Sequence, residues 1–179
     1  VAKFGKPVIL SSGMADLTEV GEALSWLRNA GSEDVTVLHC LSNYPADPAE
    51  TNLRAMQTIA ATYDVSVGYS DHTPGIEISL AAVALGARVI EKHFTLDQEL
   101  PGPDHKASMS PKELKALIRG IRSVSSALGN GVKQAAPSEL ENRTIIRRSL
   151  VALMDISSGA TITRDMVGIL RPATGLRPI

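Results

Sequence analysis

Apolar residues along the chain gather into four short runs, KPVILSSG, VTVLHC, VSVGYS and RVIEKHF, each followed by a stretch with apolar positions at helical spacing. The runs return every 24 to 30 residues, which predicts a repeated strand–helix unit and a parallel sheet. Helix starts are marked as well. Asp16 with Glu19, Asp47 with Glu50 and Ser110 with Glu113 each fit a capping box, in which a side-chain acceptor and a carboxylate satisfy the free N–H groups of a first helical turn. Pro48 and Pro111 stand at first helical positions, where a missing N–H costs little. Leu114, Leu117, Ile118, Ile121, Val124 and Leu128 form a helical stripe that stops at Gly129 and is expected to lie against the sheet.

Four strand–helix units are half of an eight-stranded barrel. The chain opens at Val1 almost directly on a strand, and four parallel strands alone leave two unpaired edges for a second half to cover. The expectation is therefore an α/β fold: the C-terminal half of a (β/α)8 TIM barrel over residues 1–130. A complete flavodoxin-like sheet is the rival, and it needs about five strands and a reversal of strand order. Residues 131–147 are polar, lack a sustained period and read as a linker. From residue 148 two short β-like runs flank a Ser-Gly turn, the pattern of a small β-rich domain cut short at Ile179.

Composition narrows the partners. Eighteen basic and nineteen acidic residues leave a formal charge of -1, which argues against a nucleic-acid footprint or a membrane-attracting patch. The longest apolar stretch, Ile78 to Ala87, is half of the roughly 20 residues a membrane span requires. The single cysteine, Cys40, forms neither an internal disulfide nor a metal-type pair, so a reducing cytoplasm is the default expectation. The partner expected is a small molecule.

The chemistry is expected where the strands end, because the C-terminal rim of a β/α barrel carries the reactive groups. Ser11 and Ser12 end the first strand, His39 and Ser42 the second, Ser70, Asp71 and His72 the third, and Glu91 and His93 the fourth. His72 and His93, on neighbouring strands, are placed to share one metal ion, and two imidazoles leave positions open for water and substrate oxygens. Glu91 shares strand parity with His93. It is read either as orienting a ligand or meeting the metal through water, or as an ion-pair partner for a residue outside the chain. His39 is expected to be structural and His105 to face solvent. SSGM, from Ser11 to Met14, is a candidate anion cradle, and LPGPDHKAS, from Leu100 to Ser108, is a rim loop able to deliver Asp104.

VILSSGM, LHCLSNYP, GYSDHT, IEKHFTLD and GPDHKAS, in this order and spacing, resemble the second half of the sialic acid synthase family, with its legionaminic, pseudaminic and spore-coat sugar synthases. RRSLVALMDISSGATITRDMVGILRP resembles the opening of the antifreeze-like, or SAF, domain that follows the barrel in that family. The resemblance implies condensation of phosphoenolpyruvate with an N-acetylated amino sugar, such as N-acetylmannosamine, to a nine-carbon 2-keto acid and phosphate. It implies that His72 and His93 hold a divalent metal, Mn2+ first, with Mg2+ or Co2+ as alternatives. Ser11 and Ser70 correspond to phosphoenolpyruvate contacts, as does Ser42, where some members carry asparagine. Tyr44 and Asp104 correspond to sugar contacts. Arg171 corresponds to an arginine that reaches a partner subunit's active site in a domain-swapped homodimer. The family's phosphate-neutralising lysines lie outside this chain, so the chain alone is expected to be inactive. Two other readings remain at this point: another metal-dependent barrel aldolase, and a non-catalytic sugar-binding paralogue.

Overall fold

In a computed structural model, which describes residues 1–178, the chain divides into two compact units, Val1–Asn130 and Gly131–Ile179. Ile179, the last residue of the expected appendage, lies outside the described residues. The first unit holds a curled parallel sheet of four strands in chain order: β1 (Val8–Ser11), β2 (Val35–Cys40), β3 (Ser66–Asp71) and β4 (Ile90–Lys92). Between them run α1 (Leu17–Asn29), α2 (Arg54–Tyr63) and α3 (Glu77–Ala84), and α4 (Pro111–Leu128) follows β4. Strand order never reverses, which removes the flavodoxin-like alternative.

Alternation along each strand sorts side chains onto two faces. Val35, Val37, Val67 and Tyr69 bury against Val20, Leu24, Met56 and Ile59 of α1 and α2. The opposite face carries Ile9, Leu38, Gly68, Ser70 and Glu91. On the edge strand β1 this inner face is open: Ile9 is 58% exposed. Gly68 has a steric role there, since a Cβ on it would lie 2.5 Å from both Leu38 Cδ2 and the carbonyl oxygen of Val89.

Two of the three expected capping boxes form, with Asp16 accepting from the Glu19 N–H and Ser110 from the Glu113 N–H while each glutamate reaches back. Asp47 does not open a helix. It caps a single 3-10 turn, Pro48–Glu50, by accepting from the Ala49 N–H, and α2 starts only at Arg54. The helix α4 packs on α3, its Gly120 letting it approach Leu80, and Leu117 of its stripe is fully buried.

Hydrogen bonds from the Ser110 backbone and side chain, in that order, hold the Glu113 carboxyl below its ordinary pKa. A folded-state pKa lower than the unfolded one gives stability that is present above the unfolded value and lost as pH falls through the folded one. Ser110→Ala is expected to cost about 1 kcal/mol at neutral pH. The difference from wild type should shrink below the ordinary carboxylate range. Urea unfolding at the two pH values checks both.

In the second unit, the segment read as a linker contains α5 (Pro137–Ile146). Its first turn is closed by the Glu139 carboxylate, which accepts from the Ala136 N–H at 2.7 Å. The signal was present as Pro137 followed two residues later by glutamate, but Ala136 supplies no side-chain acceptor, so the usual cap letter is missing. β5 (Ser149–Ala152) and β6 (Val167–Leu170) pair antiparallel.

Candidate active site

β3 and β4 deliver their ends to one rim. The last paired residues are Asp71 and Lys92, and His72 and His93 follow one position beyond them, on the inner face. Their ring centroids are 5.4 Å apart with the planes at 81°. Two imidazoles that each give one nitrogen to a shared ion, at about 2.1 Å, place their centroids about 5 Å apart, so the spacing fits the expected pairing.

Each histidine is held from behind. The carbonyl of Leu41 can only accept, so at 2.7 Å it receives the proton of His72 Nδ1. That fixes the tautomer and leaves the Nε2 lone pair free for an acid, which is the arrangement of a metal-binding histidine. The His72 carbonyl accepts from the Ala46 N–H at 2.9 Å and the His93 carbonyl from the Met109 N–H at 2.8 Å. Tyr44 stacks on His72 at 4.0 Å and lies 4.9 Å from His93, so the NYP tyrosine covers the pair from the β2 loop. Its phenol pKa is raised, first by partial burial and then by Cys40, Asp104 and Glu91. It therefore stays a hydrogen-bond donor at neutral pH.

Below the imidazoles, Ser70 Oγ sits 3.4 Å from His72 Nε2 and donates to Glu91 Oε1 at 2.8 Å. Glu91 thus has a partner within the chain. A cavity of about 400 Å³ beside His93 is lined by Phe94, Pro103, Asp104, His105 and Ser108, among others, which brings Asp104 to the same rim. Among the described residues no three His, Cys, Asp or Glu side chains converge to hold a metal ion. The donor set is two imidazoles, which suits an ion that completes its coordination with water and substrate oxygens.

The remaining expected residues are more scattered. Ser11 is exposed on the inner face of β1, with β2 between it and β3. The SSGM turn adjoins Ser42, whose Oγ lies 3.9 Å from where a Gly13 Cβ would stand. Among the described residues no hydrogen bond joins Ser11 or Ser42 to the histidine group. Arg171 is exposed in the second unit, just after β6. His39 is structural as expected, bonded to the Thr51 carbonyl at 2.8 Å. His105 does not face solvent: it is half-buried and its Nδ1 lies 2.8 Å from Thr95 Oγ1.

Residues 1–133 match the family model described as the NeuB family. The chain belongs to the NeuB family. It is 52% identical over 178 residues to N,N'-diacetyllegionaminic acid synthase of Campylobacter jejuni, covering 98% of this chain and 53% of that protein. It is 38% identical over 177 residues to pseudaminic acid synthase of Helicobacter pylori, covering 99% of this chain and 52% of that protein. Among solved structures it resembles an N-acetylneuraminic acid synthetase from Leptospira borgpetersenii in complex with citrate. There the TM-score is 0.72 at 42% identity, over 79% of this chain and 49% of that one. The chain spans about half the length of the curated relatives it matches. Like them it is related to enzymes that make sialic-acid-type sugar acids. Among the described residues no helix is long and apolar enough to cross a membrane.

Two features of this NeuB rim escape a sequence reading. Asp71, grouped there with the rim residues, points the other way: it is buried on the helix side, paired to Lys92 at 3.0 Å. Cys40, treated only as a redox marker, is buried with its sulfur 3.9 Å from His72 Nδ1. Strand parity contained the first signal, since Asp71 and His72 are neighbours and face opposite sides.

Proposed function

We propose that the intact protein condenses phosphoenolpyruvate with an N-acetylated amino sugar, forming a nine-carbon 2-keto sugar acid and releasing phosphate. The observation that supports this reading most is the convergence of His72, His93, Tyr44, Ser70 and Glu91 on one rim in a chain of the NeuB family. His72 Nε2 and the His93 imidazole would hold a divalent ion, Mn2+ ahead of Mg2+ or Co2+. When bound, such an ion supplies Lewis acidity to the acceptor's aldehyde oxygen, where negative charge develops as the carbon–carbon bond forms.

The chain's own groups do the rest. Ser70 presents its hydroxyl between His72 and Glu91 and, with Ser11 and Ser42, would bind phosphoenolpyruvate. Glu91 Oε1 holds the Ser70 proton, fixing the direction of that hydroxyl. Tyr44 shields the imidazoles and, with Asp104, would meet the sugar's hydroxyl groups. In the balanced reaction, C3 of phosphoenolpyruvate bonds to the aldehyde carbon, water supplies the oxygen that becomes the 2-keto group, and phosphate leaves. Residues 148–179 are assigned to the start of a SAF domain, with Arg171 reaching the partner's site in a domain-swapped homodimer.

The test is phosphate release by the intact protein with phosphoenolpyruvate and a panel of N-acetylated hexosamines, with and without Mn2+. Release that requires both substrates and the metal is expected. Sugar turnover without phosphate release would instead indicate an aldolase that does not use phosphoenolpyruvate.

A further inference from the structure

The Asp71–Lys92 pair stands on the opposite face of the sheet from the proposed chemistry, and nothing in that chemistry uses it. Both groups are buried, Asp71 at 0% and Lys92 at 6% side-chain exposure, with 3.0 Å between Lys92 Nζ and Asp71 Oδ2. Asp71 also accepts from the Thr73 N–H, the Thr73 hydroxyl and the Ser79 hydroxyl. Lys92 donates in turn to the Thr73 carbonyl. Burying two charges is expensive, and an apolar pair of similar size often serves stability as well or better.

The position of the pair explains what the charges add. Asp71 and Lys92 face each other across the last rung of the β3–β4 ladder. His72 and His93 lie one residue past that rung, where no β3–β4 ladder bond spaces them. On the inner face the Ser70–Glu91 bond ties the strands one rung lower. The side-chain bridge on the outer face is therefore the clamp at the last rung, directly adjoining in sequence the two residues that carry the imidazoles.

We propose that Asp71 and Lys92 are positioning residues that set the separation of His72 and His93 and so tune the affinity of the pair for a divalent cation. The cation part rests on the metal reading given above. Asp71→Asn with Lys92→Met removes both charges together and leaves no buried ion unpaired. Lys92→Met alone, in which Asp71 keeps its three hydroxyl and backbone donors, serves if the double variant does not fold.

In the intact, folded protein, calorimetry with Mn2+ alone is expected to show binding weakened by about 10- to 100-fold, the range for groups that orient metal ligands. The KM values for both substrates should change little while kcat falls. In the metal-free protein, the nuclear Overhauser contact between the His72 and His93 ring protons should weaken. A variant that keeps that contact at wild-type strength overturns the clamp, whatever the metal does. Wild-type Mn2+ affinity in the variant overturns it as well, whereas a wild-type protein that binds no Mn2+ overturns the metal reading and leaves the ring contact to decide the clamp.

Discussion

Replacing His72 by alanine in the intact protein is expected to lower Mn2+-dependent phosphate release by about 10^3-fold or more. Losing a Lewis acid that stabilises developing charge costs several kcal/mol of barrier, and each 1.36 kcal/mol is about tenfold in rate. His93→Ala should do the same, because in the proposed site the ion is held by the two facing imidazoles and loses half of that pair. Both proteins should stay folded, since neither ring belongs to the main apolar cluster. The check is a phosphate-release assay paired with metal analysis. If both variants retain turnover and metal content, the site as drawn is wrong.

Gly68→Ala is expected to destabilise the protein by about 2–3 kcal/mol, the upper part of the range for overfilled cores. The new methyl carbon would sit 2.5 Å from the Val89 carbonyl oxygen and 3.0 Å from Val89 Cβ. That carbonyl already receives the Tyr69 N–H at 2.9 Å. Backbone has to move, and the movement separates β3 from β4 directly below the two histidines. Gly120→Ala is the informative contrast. Its methyl would first meet the two methyl groups of Leu80, at 2.9 and 3.1 Å, which can rotate away, and alanine favours the helix by up to about 1 kcal/mol. Urea unfolding of the two variants should give changes of clearly different size; equal losses would show that the contact at Val89 is not what matters at Gly68.

Most of the first unit was legible as sequence because its rules are local. Alternation in VTVLHC and VSVGYS, the caps at Asp16 and Ser110 and the stop at Gly129 each depend on neighbours a few residues away. Other features of the chain depart from what its letters predict. Asp47 carries a cap letter, yet the chain there makes one 3-10 turn and the helix waits until Arg54. A loop position predicts that His105 faces solvent, but that loop folds back so that Thr95 reaches it. Residues 131–147 read as a linker because they are polar and lack a sustained period, yet they hold α5, whose first turn Glu139 closes.

The sequence by itself determined that four parallel strands would bring their polar ends to one rim, and that His72 and His93 would stand there on adjacent strands. Periodicity and spacing suffice for the shared rim, since parallel strands of strand–helix units all end on one side of the sheet, and sequential strands are most often neighbours. Only the tertiary structure decided which partner each rim residue meets. It set Ser70 against Glu91, aimed Nδ1 of His72 at the Leu41 carbonyl, laid Tyr44 over both rings and turned Asp71 away to Lys92. Those outcomes depend on register and on loops tens of residues apart in sequence, where the energy of a contact exists only once the fold has brought its partners together.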